Sequence, residues 1–284
     1  MTVRKIKLSL KSRPTLEGAG VRLRRAFGYA DPSLDPFLLL DDFSSNNPSD
    51  YLPGFPWHPH RGIETITYIL HGTVEHKDSL GNGGIIGAGD IQWMTAGSGI
   101  IHQEMPKPAK NDPLLKGFQL WANLPASHKM MNPRYRGLTQ EEIPEVNMDG
   151  NVKIKIISGE INGVKGPVQD VVTNPEYLDV KVDSNNEFLH PIDHEHNVFA
   201  YIITGEAYFD DSHSQLIGEK NLVIYREGDS IKIITKDKPV RFLLVSGKPL
   251  NEPVAWRGPI VMNTEEELQT AFREYQNGTF IKKS

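Results

Sequence analysis

The sequence contains no cysteine. That absence excludes disulfides, thiolate metal sites and cysteine nucleophiles together, and it fits a reducing compartment. Also missing is any apolar run near the roughly 20 residues that a membrane-spanning helix needs. The first residues, MTVRKIKLSLKSRP, mix Lys and Arg with scattered apolar side chains and form no continuous apolar stretch of the signal-peptide kind. Positive charge is not in excess either. Against 36 Asp and Glu stand 31 Lys and Arg, a net charge of −5, so no global field favours nucleic acid or an anionic membrane. The expectation is a soluble cytoplasmic protein with no direct nucleic-acid or membrane partner.

What is present is turn-rich and β-forming. With 25 Gly and 20 Pro among 284 residues, the chain reads as short runs of β-branched and aromatic residues broken by turn formers. The runs are 65–70, 91–94, 118–124, 152–157, 198–203, 222–225, 230–234 and 240–245. Many short strands with frequent turns predict an all-β sandwich or barrel architecture. One helix is predicted near the C-terminus. Thr264 and Glu267 have capping-box spacing, Leu268, Ala271, Phe272 and Tyr275 fall on one face, and Gly278 supplies a stop.

The halves echo each other in the same order. Tyr68-Ile-Leu-His-Gly72 is similar to Tyr201-Ile-Ile-Thr-Gly205, Gly89-Asp90 to Gly228-Asp229, and Phe118-Gln-Leu-Trp to Phe242-Leu-Leu-Val. A duplicated barrel accounts for this. The predicted division is a first barrel over 1–133, a linker over 134–148, and a second barrel over 149–284 that carries the C-terminal helix.

The chemistry concentrates in the first half. His58 and His60 are two apart, as are His102 and Glu104, and side chains two apart on a strand share a face. Two such pairs facing one barrel interior would gather three imidazoles and a carboxylate, a donor set suited to a divalent transition metal. Glu64 has the same parity as His58 and His60, so it is a competing carboxylate if the strand continues unbroken. Neutral imidazole ligands imply proton competition near pH ~6.5. His71 and His76 read as solvated surface residues at a turn or strand end. Trp57 and Trp93 read as walls of the barrel, and the 127–136 stretch is the one candidate for a protein-contact surface.

The blocks LDPFLLLDDF (34–43), HPHRGIET (58–65) and GDIQWMTAGSGIIHQEMP (89–106), with HNVFAYIITGEA (196–207) later, resemble the pirin family of the cupin superfamily. That resemblance implies a bicupin, two jelly-roll β-barrels face to face with metal in the first alone. It carries the ligand role onto His58, His60, His102 and Glu104, with Glu104 preferred to Glu64 because the HQE match is direct. The implied metal is iron(II), other transition metals being possible. The implied activity is quercetin 2,3-dioxygenase, in which Glu104 is the catalytic base and a small flavonol-like aromatic is the substrate. The alternative that the resemblance implies is an iron-dependent protein-binding co-regulator without turnover. A monomer is expected. In the second half, Pro191, Asp193 and Asn197 stand where the first has His58, His60 and Glu64, so the His190–His196 cluster reads as a polar loop.

Overall fold

The computed structural model describes residues 2–108 and 111–282. Its polypeptide forms two compact units, each built on antiparallel strands. One unit comprises 13–30, 37–140 and 251–284, and the other 1–12, 31–36 and 141–250. A single cut between 133 and 149 therefore does not describe the chain. Strand Ile6–Lys11 pairs with Asn221–Tyr225 in the second unit, whereas the C-terminal residues pack with the first. Nor is 134–148 a linker: Arg134–Leu138 pairs with Ile91–Thr95, and Glu145–Met148 pairs with Val152–Ser158.

In the first unit a seven-stranded sheet runs in the order Arg134–Leu138, Ile91–Thr95, Ile63–His71, Lys116–Asn123, Phe37–Asp42, Val21–Gly28, Arg13–Glu17. A four-stranded sheet follows the order Phe55–His60, Ile100–Lys107, Thr73–Asp78, Gly83–Ile86. Strand Ile100–Lys107 alternates strictly: Ile100, His102, Glu104 and Pro106 are buried while Ile101, Gln103 and Met105 are less so. That is the period of a strand with one face turned inward. Ile63, Met94, Ala96, Ile100 and Val261 form one apolar cluster, and Val21, Leu23, Phe43, Tyr51 and Ile69 belong to another.

The C-terminal helix, Glu265–Gln276, starts at the predicted capping box, with Thr264 accepting from the Glu267 amide and Glu267 accepting from that of Thr264. Such a cap contributes about 1 kcal/mol. The helix buries Leu268 and Ala271 among Ile260, Met262 and Phe280, all in the first unit. Arg61 fixes the docking. Its guanidinium donates to the Phe280 carbonyl at 2.9 Å, pairs with Glu274 at 2.8 Å, and lies 4.2 Å from the Phe280 ring centre.

The second unit repeats the strand order. Tyr201 lies on Asn197–Ala207, flanked by Asn221–Tyr225 and Val240–Gly247, as Tyr68 lies on Ile63–His71 flanked by Ile91–Thr95 and Lys116–Asn123. Its own core includes Ile154, Leu178, Phe188, Ile202, Phe242 and Leu244. Strand Ile6–Lys11 covers the edge that Arg134–Leu138 covers in the first unit, which is why the N-terminus leaves its sequence neighbours. An uncovered edge would present unpaired backbone groups. Among the described residues no helix is long and apolar enough to cross a membrane.

Candidate metal centre

Strand pairing brings the two sequence motifs together. His102 lies directly opposite His58, and Ile100 opposite His60, on neighbouring antiparallel strands. Ring centroids are 4.4 Å apart for His58 and His102, 5.0 Å for His60 and His102, and 4.8 Å for His58 and His60. Their potential ligand nitrogens all lie within 4.8 Å of one another, the one such group of three or more among the described residues.

The proton inventory of this cluster fits a cation. His58 Nδ1 lies 2.8 Å from the Pro56 carbonyl and His60 Nδ1 lies 3.0 Å from the Pro259 carbonyl. A carbonyl oxygen only accepts, so each Nδ1 carries the proton and each Nε2 presents a bare lone pair. Those two Nε2 atoms face each other at 3.0 Å. Two lone pairs at hydrogen-bond distance repel unless a cation or a shared proton lies near. His102 is fully buried with neither ring nitrogen partnered, which is costly in any site that stays empty. The carbonyl contacts also orient the two rings, as partners of metal-ligating imidazoles do.

Burial favours the neutral form of all three rings. It lowers the pKa of His58, and it takes His60 and His102 well below the ordinary imidazole value, with repulsion from neighbouring imidazoles adding to the effect. Protons therefore compete with a metal at a lower pH than the ~6.5 of a free imidazole. This revises the window inferred from residue type alone.

Glu104 follows His102 on the same buried face, although the pairing with Phe55–His60 slips by one residue between them. Its carboxylate is not within the 4.8 Å group of the three histidines. Together with His58 and His60 it lines a cavity of about 600 Å³. Thr67 Oγ1 donates to Glu104 Oε1 at 2.8 Å. Burial pushes the Glu104 pKa up to about 7 against the opposing effect of that hydrogen bond.

Glu64 goes elsewhere. Gly62, at φ +78°, ends the strand carrying His58 and His60, so the parity count does not pass through it. A side chain at position 62 would place its Cβ 1.9 Å from the Val261 carbonyl oxygen. Glu64 instead accepts from Thr95 Oγ1 at 2.6 Å, and burial raises its pKa. It does not line the cavity.

Three other expectations change. His76 is fully buried and not solvated: its ring stacks on Tyr135, lies 5.4 Å from His102, and its Nε2 is 3.4 Å from Asp78 Oδ2. It stands opposite Glu104 on the neighbouring strand, a register that no local pattern announces. His71 does remain partly exposed, 2.6 Å from Asp112. Trp93 is core, but Trp57 is half-exposed and lines the cavity with Trp121 and Trp256. Lys129, inside the stretch read as a contact surface, is buried and donates to the Gly62 carbonyl, Asn123 Oδ1 and the Val261 carbonyl at 2.6–3.1 Å.

In the second unit His190 is held by both oxygens of Glu176 at 2.9 and 3.0 Å. His194 is exposed beside Asp229, and His196 Nδ1 lies 3.2 Å from Ser246 Oγ. Asn197 donates to the carbonyls of Pro32 and Asp35, both at 2.7 Å. These residues are spread over separate partners.

Residues 20–122 match the Pirin family and residues 177–281 match the Pirin C-terminal cupin domain. A pirin-like protein of Caulobacter vibrioides is 42% identical over 99% of this chain and 100% of its own length. Human pirin is 43% identical over 96% of this chain and 93% of its own. Among solved structures, a quercetin 2,3-dioxygenase from Acinetobacter baumannii aligns with a TM-score of 0.90 at 31% identity, covering 98% of both chains.

Proposed function

The chain belongs to the pirin family of two-cupin proteins, and on that footing we propose that it is a metal-dependent dioxygenase of the quercetin 2,3-dioxygenase type. The observation that carries the reading is the convergence of His58, His60 and Glu104 on one aromatic-walled cavity, with His102 packed against both imidazoles. The overall reaction consumes a flavonol and dioxygen and yields the ring-opened ester and carbon monoxide. His58, His60, His102 and Glu104 would hold the metal. Iron(II) is the first choice because the family resemblance implies it; three imidazoles and one carboxylate suit manganese, nickel, copper or zinc as well. A bound metal would supply Lewis acidity toward the substrate hydroxyl and a redox-active centre for dioxygen chemistry.

The remaining work falls to side chains. Glu104, buried on the wall of the cavity, takes the proton of the substrate hydroxyl as that oxygen becomes anionic. The cavity, about 600 Å³, is large enough for a planar three-ring compound. Phe55, Trp57, Trp121 and Trp256 line it and give a planar substrate apolar aromatic walls. Thr67, Gln119, Asp41 and Arg25 stand directly opposite one another on four neighbouring strands, making a polar row across one wall. Arg25 is committed to Asp41 through two hydrogen bonds of 2.7–2.8 Å and to Glu17 at 2.8 Å. Asp41 in that row, and Glu17 beside it on the cavity wall, can accept from hydroxyls at the far end of the substrate, which fixes its direction.

The test is oxygen uptake and carbon monoxide release by anaerobically purified, iron-loaded protein given quercetin. Turnover lost in Glu104→Gln supports the reading. Full metal loading with neither gas changing would leave a metal-dependent binding protein instead.

A further inference from the structure

Resting on the reading of Glu104 as a metal ligand, we infer that Thr67 and Gln119 are positioning residues that fix its carboxylate through a one-way hydrogen-bond chain. Thr67 Oγ1 lies 2.8 Å from Glu104 Oε1 and 2.7 Å from Gln119 Oε1. A hydroxyl has one proton, so it cannot donate to two oxygens. One contact must run the other way. Either Glu104 is protonated and donates to Thr67, or the Gln119 amide is turned so that its nitrogen donates to Thr67 and Thr67 donates to Glu104. Amide oxygen and nitrogen are assigned by such partners rather than seen directly. A carboxylate that binds a cation is ionised and can only accept, which selects the second arrangement.

The backbone makes this chain rigid. Thr67 and Gln119 are paired residues on Ile63–His71 and Lys116–Asn123, two central strands of the seven-stranded sheet. Thr67 is 1% exposed, and its β-branched side chain has few rotamers to lose. The contact engages Oε1 of Glu104 and leaves Oε2 without a side-chain partner among the described residues. One oxygen is thus committed to the protein and the other is left for a cation. Outer partners of this kind orient ligands and raise metal affinity.

Cobalt(II) is the probe, because its visible spectrum reports the ligand set independently of turnover. Full-length parent, Thr67→Val, Thr67→Ser, Gln119→Leu and Glu104→Gln are titrated with Co²⁺ after chelator treatment, with the unfolding midpoint of each metal-free protein measured alongside. In Thr67→Val and Gln119→Leu the Co²⁺ affinity should fall about 10–100-fold. Their spectra should move toward that of Glu104→Gln, and Thr67→Ser should restore both properties. Should Gln119→Leu fail to fold, the Thr67 pair decides alone. Parental affinity and spectrum in Thr67→Val, beside an altered Glu104→Gln, would overturn the chain while leaving Glu104 a ligand. A parental spectrum in Glu104→Gln would overturn the ligand reading and the chain with it.

Discussion

Replacing Glu104 by Gln should stabilise the metal-free protein while weakening its hold on metal. Glu104 is 7% exposed, and burial raises its pKa from 4.5 to about 7. The folded state therefore binds the Glu104 proton more tightly than the unfolded chain does. Between the two values folding takes up a proton, so stability is lost as the pH climbs. Above the upper value the ionised carboxylate costs about 3 kcal/mol, at ~1.4 kcal/mol for each pH decade of displacement. Glutamine keeps the shape and still accepts from Thr67, but it carries no charge to desolvate. Urea unfolding of both proteins in the presence of chelator, at pH 4.5 and pH 8, reads the effect. The two should be nearly equal at pH 4.5, with Glu104→Gln ahead by about 2–3 kcal/mol at pH 8. With saturating Co²⁺ the order should reverse, because ligand binding stabilises the parent more. A stability difference that does not change with pH would refute the reasoning.

Gly62→Ala should destabilise the protein by more than about 3 kcal/mol, since its φ is left-handed and the added Cβ meets the Val261 carbonyl oxygen at 1.9 Å; a thermal midpoint close to the parent's would count against the geometry. Glu64→Gln should keep parental metal affinity, because Glu64 is engaged with Thr95 away from the cavity. Metal lost from Glu64→Gln but kept by Glu104→Gln would reassign the ligand. Trp57→Ala should raise KM for quercetin by up to about tenfold through lost ring contact, with stability nearly unchanged because the residue is 51% exposed. A fall in kcat at constant KM would place Trp57 in a different role.

The sequence carried the site further than it carried the boundaries, and the reason is range. HxH and HxE rest on strand parity, a local property, and the structure sets His58 opposite His102 across one strand pair. The helix cap is local too, and Glu265–Gln276 begins where Thr264 announces it. Parity failed at Glu64 because Gly62 breaks the strand. A glycine there was visible, but its left-handed φ and the approach of Val261 were not. The burial of His76 depends on its register against Glu104. The carbonyl that orients His60 belongs to Pro259, which lies 199 residues along the chain. The chain returns to the first unit over 251–282 through such contacts: Arg61 and His60 are held by it, and Leu268 and Ala271 find their apolar partners there. No composition shift marks such a return.

The central claim is a single metal held by His58, His60 and His102, and metal content after anaerobic loading tests it most directly. One Fe²⁺ per parent chain is expected, with most metal lost in His60→Ala and in His102→Ala while the fold is retained, and an unchanged ratio in His196→Ala. Full occupancy in both of the first two variants would contradict it. So would a ratio of two per chain that falls to one in His196→Ala.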